Sequence, residues 1–246
     1  MLRCGGRMTG ILYIHVPKCG GSSFGAALRL AHPLSQATID LRAARSEALG
    51  RDAALTGRAL IRADYEARDR QLHRLLRAGR RCIAGHVRAS AELLDGPARG
   101  HRAVTLLRDP VARFVSHYAY LMRRHPDPDR PATLEAFLET DDAMRLGSTY
   151  LFYFGGTWQG AGHDIAPAMA AARKTLSRFA LIGDLSRPRA FAADLRRLCR
   201  RPVPILTRNA APPSAPPPPS LRPRIEEICA PDIALYRYAT GLEHAA

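Results

Sequence analysis

The stretch ILYIHVPKCGGSSF, residues 11–24, constrains what this chain can fold into more than any other. Ile11 to Val16 are mostly apolar and partly β-branched, and such a run reads as a strand buried on both faces. Pro17 has no N–H to give a ladder and ends the strand. Gly20 and Gly21 permit a tight turn and let the backbone approach a ligand closely. Ser22 and Ser23 are good N-caps, and FGAALRLA after them reads as a helix. A strand, a glycine-bearing turn with Lys18, and a helix start together make an anion-binding device. Free N–H groups and the helix dipole face the turn, and Lys18 adds a full charge. The expected guest is a phosphate. The same residues also fit a plain strand–turn–helix corner with a surface lysine. The glycines follow the lysine, so GxxxxGK[ST] is not met and an ordinary ATP or GTP loop is disfavoured. A CxxxxxR phosphatase loop would need Arg where Gly25 stands.

The 246 residues suffice for one large α/β domain, residues 1–246, with a sizeable core. No apolar run approaches the length of a transmembrane helix. The opening MLRCGGRMTG lacks the apolar segment of a signal peptide, and Met8 is an alternative start. The net charge of +15 favours acidic partners: nucleotides, sulfated or carboxylated glycans, or nucleic acid. Arg is abundant everywhere, whereas Lys occurs only at 18 and 174. Keeping Lys18 in the turn points to a need for a compact ammonium there. Five cysteines, Cys4, Cys19, Cys82, Cys199 and Cys229, are widely spread without a CxxC pair. Neither a disulfide framework nor a zinc site is implied, so reduced thiols and a cytoplasmic location are expected. Cys19, at a helix start where a thiolate could be stabilised, reads as a loop residue whose backbone matters.

Residues 35–80 read as one or two amphipathic helices, with Tyr65, Leu72, Leu75 and Leu76 at helical spacing and Gly79 as a stop. RCIAGHV, 81–87, is a short strand ending at Gly85-His86. In an open parallel sheet, ligands sit at the carboxyl ends of strands. His86 there suits a general base, although the position also admits a structural imidazole. RAVTLLRDP, 102–110, is the next strand, with Asp109 as N-cap and Pro110 as first helical residue. Val111, Phe114, Val115, Tyr118, Leu121 and Met122 form the apolar stripe of the helix that follows. Arg108 falls on the same sheet edge as Lys18 and His86, and Ser116 lies two turns into the helix. Arg113, Arg123 and Arg124 are expected to face solvent, and His117 to be structural. Thr133 opens a further helix. Tyr150, Tyr153 and Trp158, in an aromatic segment at 144–162, suit the core better than a sugar platform. Residues 168–179 are helical, 180–185 form a strand, and 203–224 form a proline-rich surface loop.

HVPKCGGSSF followed by LRDPVARFVSHY resembles the PAPS-dependent carbohydrate sulfotransferases, in particular the branch of heparan sulfate 2-O-sulfotransferase and its bacterial relatives. The resemblance implies that the first motif binds the 5′-phosphosulfate, through Pro17, Lys18, Cys19, Gly20, Gly21, Ser22 and Ser23. It implies that Arg108 and Ser116, in the second, bind the 3′-phosphate. AGHV is similar to the family's GHV segment, whose histidine is the catalytic base, here His86. TRN at 207–209 resembles an asparagine-bearing turn, and Asp232, Leu235 and Tyr236 resemble the family's closing D-x-x-LY helix. Cys19 departs from the usual Thr and removes a hydroxyl.

The expected fold is therefore a three-layer α/β domain like P-loop kinases, a central parallel sheet flanked by helices. Strands are expected near 11–16, 81–86, 103–108 and 180–183. The expected activity is in-line transfer of a sulfuryl group from PAPS to a hydroxyl, with a glycan as acceptor. His86 would act as base, Lys18 would stabilise the leaving phosphate, and no metal is required. A small-molecule kinase with a divergent phosphate loop would need an acidic metal-holding partner, and none is evident. A nucleic-acid-binding protein would need a recognition motif, and no helix-turn-helix, zinc or RNP pattern stands out.

Overall fold

The computed structural model describes residues 10–125, 127–160, 164–200, 202–204 and 216–242. Cys4, Met8 and the TRN turn at 207–209 lie outside them. Five strands, β1 (Gly10–Ile14), β2 (Gln36–Thr38), β3 (Cys82–Gly85), β4 (His101–Leu107) and β5 (Leu181–Asp184), form one parallel sheet in the order β2-β3-β1-β4-β5. The helices in the first half are α1 (Ser22–Ala31), α2 (Leu41–Arg51), α3 (Gly57–Arg77), α4 (Ala91–Asp95) and α5 (Pro110–Arg124). Then come α6 (Leu134–Leu138), α7 (Asp141–Gly147), α8 (Thr149–Gly155), α9 (Ala166–Leu176), α10 (Pro188–Cys199), α11 (Arg222–Ile228) and α12 (Ala230–Leu242).

Along β1 the side chains alternate between two cores. Leu12 and Ile14 join the cluster built with α3, α8, α9 and α12. Ile11 and Tyr13 join the one built with α1 and α10. That is the three-layer arrangement a strand apolar on both faces demands. A third cluster packs α5, α6, α7 and α11 around Phe114, Phe137 and Leu146.

All four anticipated strands are present. The helical reading of 35–80 is corrected at its start, because β2 adds a fifth strand on the sheet edge. Its three residues are exposed or half-exposed, so it carries no apolar run to announce it. The loop expected to run to residue 224 ends sooner, where α11 begins at Arg222 with a proline in its first turn. Asp109 caps α5 by accepting from Ala112 N–H at 2.8 Å, as its sequence announced.

A second correction concerns Arg113, which is fully buried. Its guanidinium pairs with the equally buried Asp232 of α12 at 3.3 Å. It also donates to Thr149 Oγ1 at 2.9 Å and to the Leu146 carbonyl. Asp232 in turn accepts from the N–H groups of Tyr150 at 2.8 Å and Leu151 at 3.0 Å, the orphan donors at the start of α8. Burial pushes the Asp232 carboxyl up to about 7, against the pull of Arg113 and those N–H groups.

Arg113→Met leaves that carboxylate buried without its cation, and should cost about 3–5 kcal/mol in urea unfolding. An unpaired Asp232 has a folded pKa above its unfolded value, so the native chain holds the extra proton between the two and stability falls as pH rises through them. The loss in Arg113→Met should therefore be larger at pH 8 than at pH 5.

Candidate active site

The sheet order places the site. From β1 the chain passes to β2 and β3 on one side, and then to β4 on the other. The crevice between the carboxyl ends of β1 and β4 is thus the topological switch point, where open α/β sheets bind ligands. The turn after β1 lies on one side of it and Arg108, directly after β4, on the other. They touch: Arg108 Nη1 donates to the Lys18 carbonyl at 3.3 Å.

The turn has an unusual backbone. Lys18 sits at φ 66° and Gly20 at φ 71°, both left-handed. At Gly20 glycine is favoured by that φ, and a Cβ there would push against Leu185 Cδ1 at 2.7 Å. The N-cap of α1 is Gly21, already helical at φ −70° and ψ −10°, and no side chain caps the helix. The expectation of a serine cap is corrected accordingly. The helix starts one residue early, so Ser22 and Ser23 occupy its first turn. The first-turn N–H groups of α1 remain directed at the crevice, with no acidic residue beside them.

Lys18 Nζ lies 4.4 Å from the ring centroid of Tyr120, over its face. Burial, then the charges of Arg123 and Arg108, lower the Lys18 pKa. Ser116 is buried on α5. Ser116, Tyr120 and Arg123 recur at i, i+4 and i+7 and so share one face of that helix. Tyr120 went unnoticed in the sequence, and this spacing was the signal that carried it.

His86 follows β3 on the other side of β1. Its Nδ1 meets the His15 carbonyl at 2.6 Å. A carbonyl only accepts, so Nδ1 carries the hydrogen and Nε2 carries the lone pair in the neutral ring. Among the described residues the ring makes no hydrogen bond besides that one, so Nε2 is left without a partner there. Arg68 Nη1 donates to the His86 carbonyl at 3.2 Å, while Arg68 is itself paired with Asp64. Burial above all, with the Arg68 charge adding, lowers His86 to about 4, against the raising effect of its bond to the His15 carbonyl. His86 is therefore neutral at pH 7, as a base must be.

Cys19 is buried in the core, its Sγ 3.5 Å from Tyr150 Oη. Burial pushes its thiol up to about 11, so no thiolate forms there near neutral pH and only its backbone faces the turn. Tyr150 spends its hydroxyl on the site's frame: Arg108 N–H donates to it at 2.9 Å, and it donates to the Arg108 carbonyl at 2.5 Å. Tyr150, Tyr153 and Trp158 are all core residues. His117 is half-buried, with Nδ1 unpartnered among the described residues, and burial holds it well below the usual histidine range.

The sequence profile described as "Sulfotransferase family" matches residues 7–144, more than half of the chain. The chain belongs to the sulfotransferase family. It is a sulfuryl-transferring enzyme, which decides against the kinase and nucleic-acid readings. The matched span contains the Lys18 turn, His86, Arg108 and Ser116. Among solved structures it is similar to the sulfotransferase from Alicyclobacillus acidocaldarius, at 18% identity over 96% of each chain and a TM-score of 0.49. No curated protein sequence matches it significantly. Sulfotransferases generally take PAPS as sulfate donor. Around this turn the sulfotransferase has an uncapped helix start, a left-handed glycine at Gly20, and two cations.

In a titration of the histidine ring resonances, His86 should stay neutral from pH 8 down to about 5 and His15, lowered to about 3, should follow later still. Both folded values lie below the unfolded one, so native protein binds fewer protons. The stability these groups contribute is complete above about pH 6.5 and is lost as pH falls toward about 4.

Proposed function

We propose that this sulfotransferase moves a sulfuryl group from PAPS to a hydroxyl of a carbohydrate, within one domain and without a metal. The observation that carries the reading is the neutral His86, with Nδ1 committed to the His15 carbonyl and Nε2 free, directly after the strand next to β1. Bound PAPS supplies sulfur already attached to a good leaving group. Lys18 and the N–H groups from Cys19 to Ser23 hold the 5′-phosphosulfate, with Pro17, Gly20 and Gly21 shaping the turn. Arg108 and Ser116 hold the 3′-phosphate, where a guanidinium can bind with two parallel hydrogen bonds.

His86 Nε2 takes the proton of the acceptor hydroxyl as its oxygen bonds to sulfur. The S–O bond to the 5′-phosphate breaks, and its electron pair stays on the phosphate oxygen. Lys18 and the turn N–H groups meet that charge where it develops. The products are a sulfate ester and adenosine 3′,5′-bisphosphate, with the proton on His86. The carbohydrate acceptor rests on the resemblance to the heparan sulfate 2-O-sulfotransferase branch. The buried Tyr150, Tyr153 and Trp158 offer it no stacking platform. Among the described residues, Cys19, Cys82 and Cys229 are buried thiols without a disulfide, which fits a reducing cytoplasm.

Calorimetry with adenosine 3′,5′-bisphosphate tests the reading. It should bind tightly, with adenosine 5′-phosphate and ATP–Mg much weaker. Arg108→Ala should lose roughly 10- to 150-fold in that affinity, the value of a hydrogen bond to a charged group. An affinity unchanged in Arg108→Ala, or no binding at all, would sink the assignment of this site. With an acceptor in hand, His86→Asn should lose about 10²–10⁴ in kcat, and Lys18→Ala about 10²–10³.

A further inference from the structure

His15, the last residue before Val16 and Pro17, belongs to none of the roles above, yet its ring stands between the two halves of the site. On one side it stacks on the His86 imidazole, with centroids 4.2 Å apart and planes 24° apart. On the other it lies against the turn that cradles the anion. A Cβ added at Gly21 would come within 2.5 Å of His15 Cδ2 and 2.7 Å of His15 Nε2. Tyr13, two residues earlier on the same face of β1, stacks behind it at 5.8 Å and 14°. Strand register explains the column. Ile14 pairs with Gly85, so His15 and His86 are the next facing pair, and His15 N–H donates to the Gly85 carbonyl at 2.9 Å. Among the described residues neither ring nitrogen of His15 has a hydrogen-bond partner, and the protein contacts that hold this ring are the stacked Tyr13 and His86 and the Gly21 backbone.

The geometry points to His15 as the positioning residue of the base: we propose that its ring, wedged between Gly21 and His86, fixes the plane of the His86 imidazole and its spacing from the Lys18 turn. The inference rests on the sulfotransferase reading of His86 and deepens it. Two constraints act together. The His15 carbonyl takes the Nδ1 proton and sets the tautomer, the part a carboxylate plays behind the histidine of a catalytic triad. The stacked ring removes the remaining freedom, rotation of the imidazole about its own axis and about that single hydrogen bond. One hydrogen bond, net of the water it replaces, is too weak to hold a ring in one orientation by itself. The flat neighbour also serves the reaction. When His86 takes the acceptor proton, a neutral π face lies beside the new imidazolium. His15 stays neutral at that moment, because burial and the His86 and Arg29 charges hold it at about 3. Gly21 has a second duty here, since any larger residue would push the wedge out of place.

The test uses the full chain with ¹⁵N-labelled histidine, and long-range ¹H–¹⁵N spectra that report which ring nitrogen of His86 is protonated. In the parent protein at pH 7 His86 should show one tautomer, Nδ1–H. In His15→Ala the carbonyl remains and the ring is gone, so His86 should show a mixture of both tautomers. In His15→Phe the flat partner returns without a nitrogen, and the single tautomer should return with it. Affinity for adenosine 3′,5′-bisphosphate should stay within about threefold in both variants, as expected of a residue spending less than 1 kcal/mol on that ligand. A single unchanged tautomer in His15→Ala overturns the proposal. So does failure of His15→Phe to restore it while bisphosphate affinity falls tenfold, which would make His15 a ligand-binding residue. If His15→Ala does not fold, His15→Phe and its affinity still decide between wedge and ligand contact. Absence of bisphosphate binding in the parent protein would count against the sulfotransferase site itself, and leaves the tautomer result to judge His15 alone.

Discussion

The Arg113–Asp232 pair is the interaction on which the rest of the site depends. It joins α5 to α12, and through Leu146, Thr149 and the first N–H groups of α8 it joins both to α7 and α8. Taking two charges out of water costs several kcal/mol each, and attraction alone rarely returns that. Here most of the remaining groups are also used, although Arg113 Nε finds no partner among the described residues. The carboxylate closes a helix start that would otherwise be buried unsatisfied, and the guanidinium takes a carbonyl and a hydroxyl besides the carboxylate. Tyr150 carries the constraint onward. Its N–H is held by Asp232 and its hydroxyl holds both backbone groups of Arg108, whose guanidinium reaches the Lys18 carbonyl. A single chain of contacts thus runs from the last helix to the Lys18 turn.

The electrostatics of the crevice follow from the same crowding. Lys18, Arg108 and Arg123 stand close enough for the latter two to depress the Lys18 pKa, while the nearby His15, His86 and His117 are all kept neutral. A site with this much unbalanced positive charge is costly when empty and is relieved by a polyanion. A neutral His86 amid those cations is also the protonation state that proton abstraction requires. Negative charge brought into the crevice would raise the pKa of His86.

Much of this was legible in the sequence, and the pattern of what was not has physical causes. β1, β3 and β4 are buried on both faces, so they read as continuous apolar runs, and their carboxyl ends located Lys18, His86 and Arg108. β2 is three residues on an exposed edge and carries no such signal. Arg113 was misread because, among so many arginines, position alone does not separate a solvated guanidinium from a buried one. Its partner, Asp232, lies 119 residues away and shares no local pattern with it. The serines after Gly21 look like caps, yet the chain is already helical at Gly21, and the hydroxyls were not needed to start the helix. His15 was passed over for the opposite reason. It sits inside a strand-like run, and only the register with β3 shows what its ring faces.

Lys18 shows why this turn needs so much support. A side chain at positive φ costs roughly 1–2 kcal/mol, and such a residue persists only where its surroundings fix it. Arg108 grips its carbonyl, and Gly20 supplies the next left-handed step without a Cβ. The strain has a geometric return. It turns the Lys18 backbone back over the crevice and leaves the ammonium on a tether, resting on the face of Tyr120 rather than locked in an ion pair. A cation–π contact at a partly open site is worth about 0.5–1 kcal/mol, small against the attraction of a phosphate. The lysine is thus held near its task without being committed elsewhere. An arginine could also stack on that ring, but its broad planar fork is a bulkier, bidentate donor than a compact ammonium on a flexible stem. In a chain of 37 basic residues that uses lysine only at 18 and 174, the choice at position 18 follows from that difference.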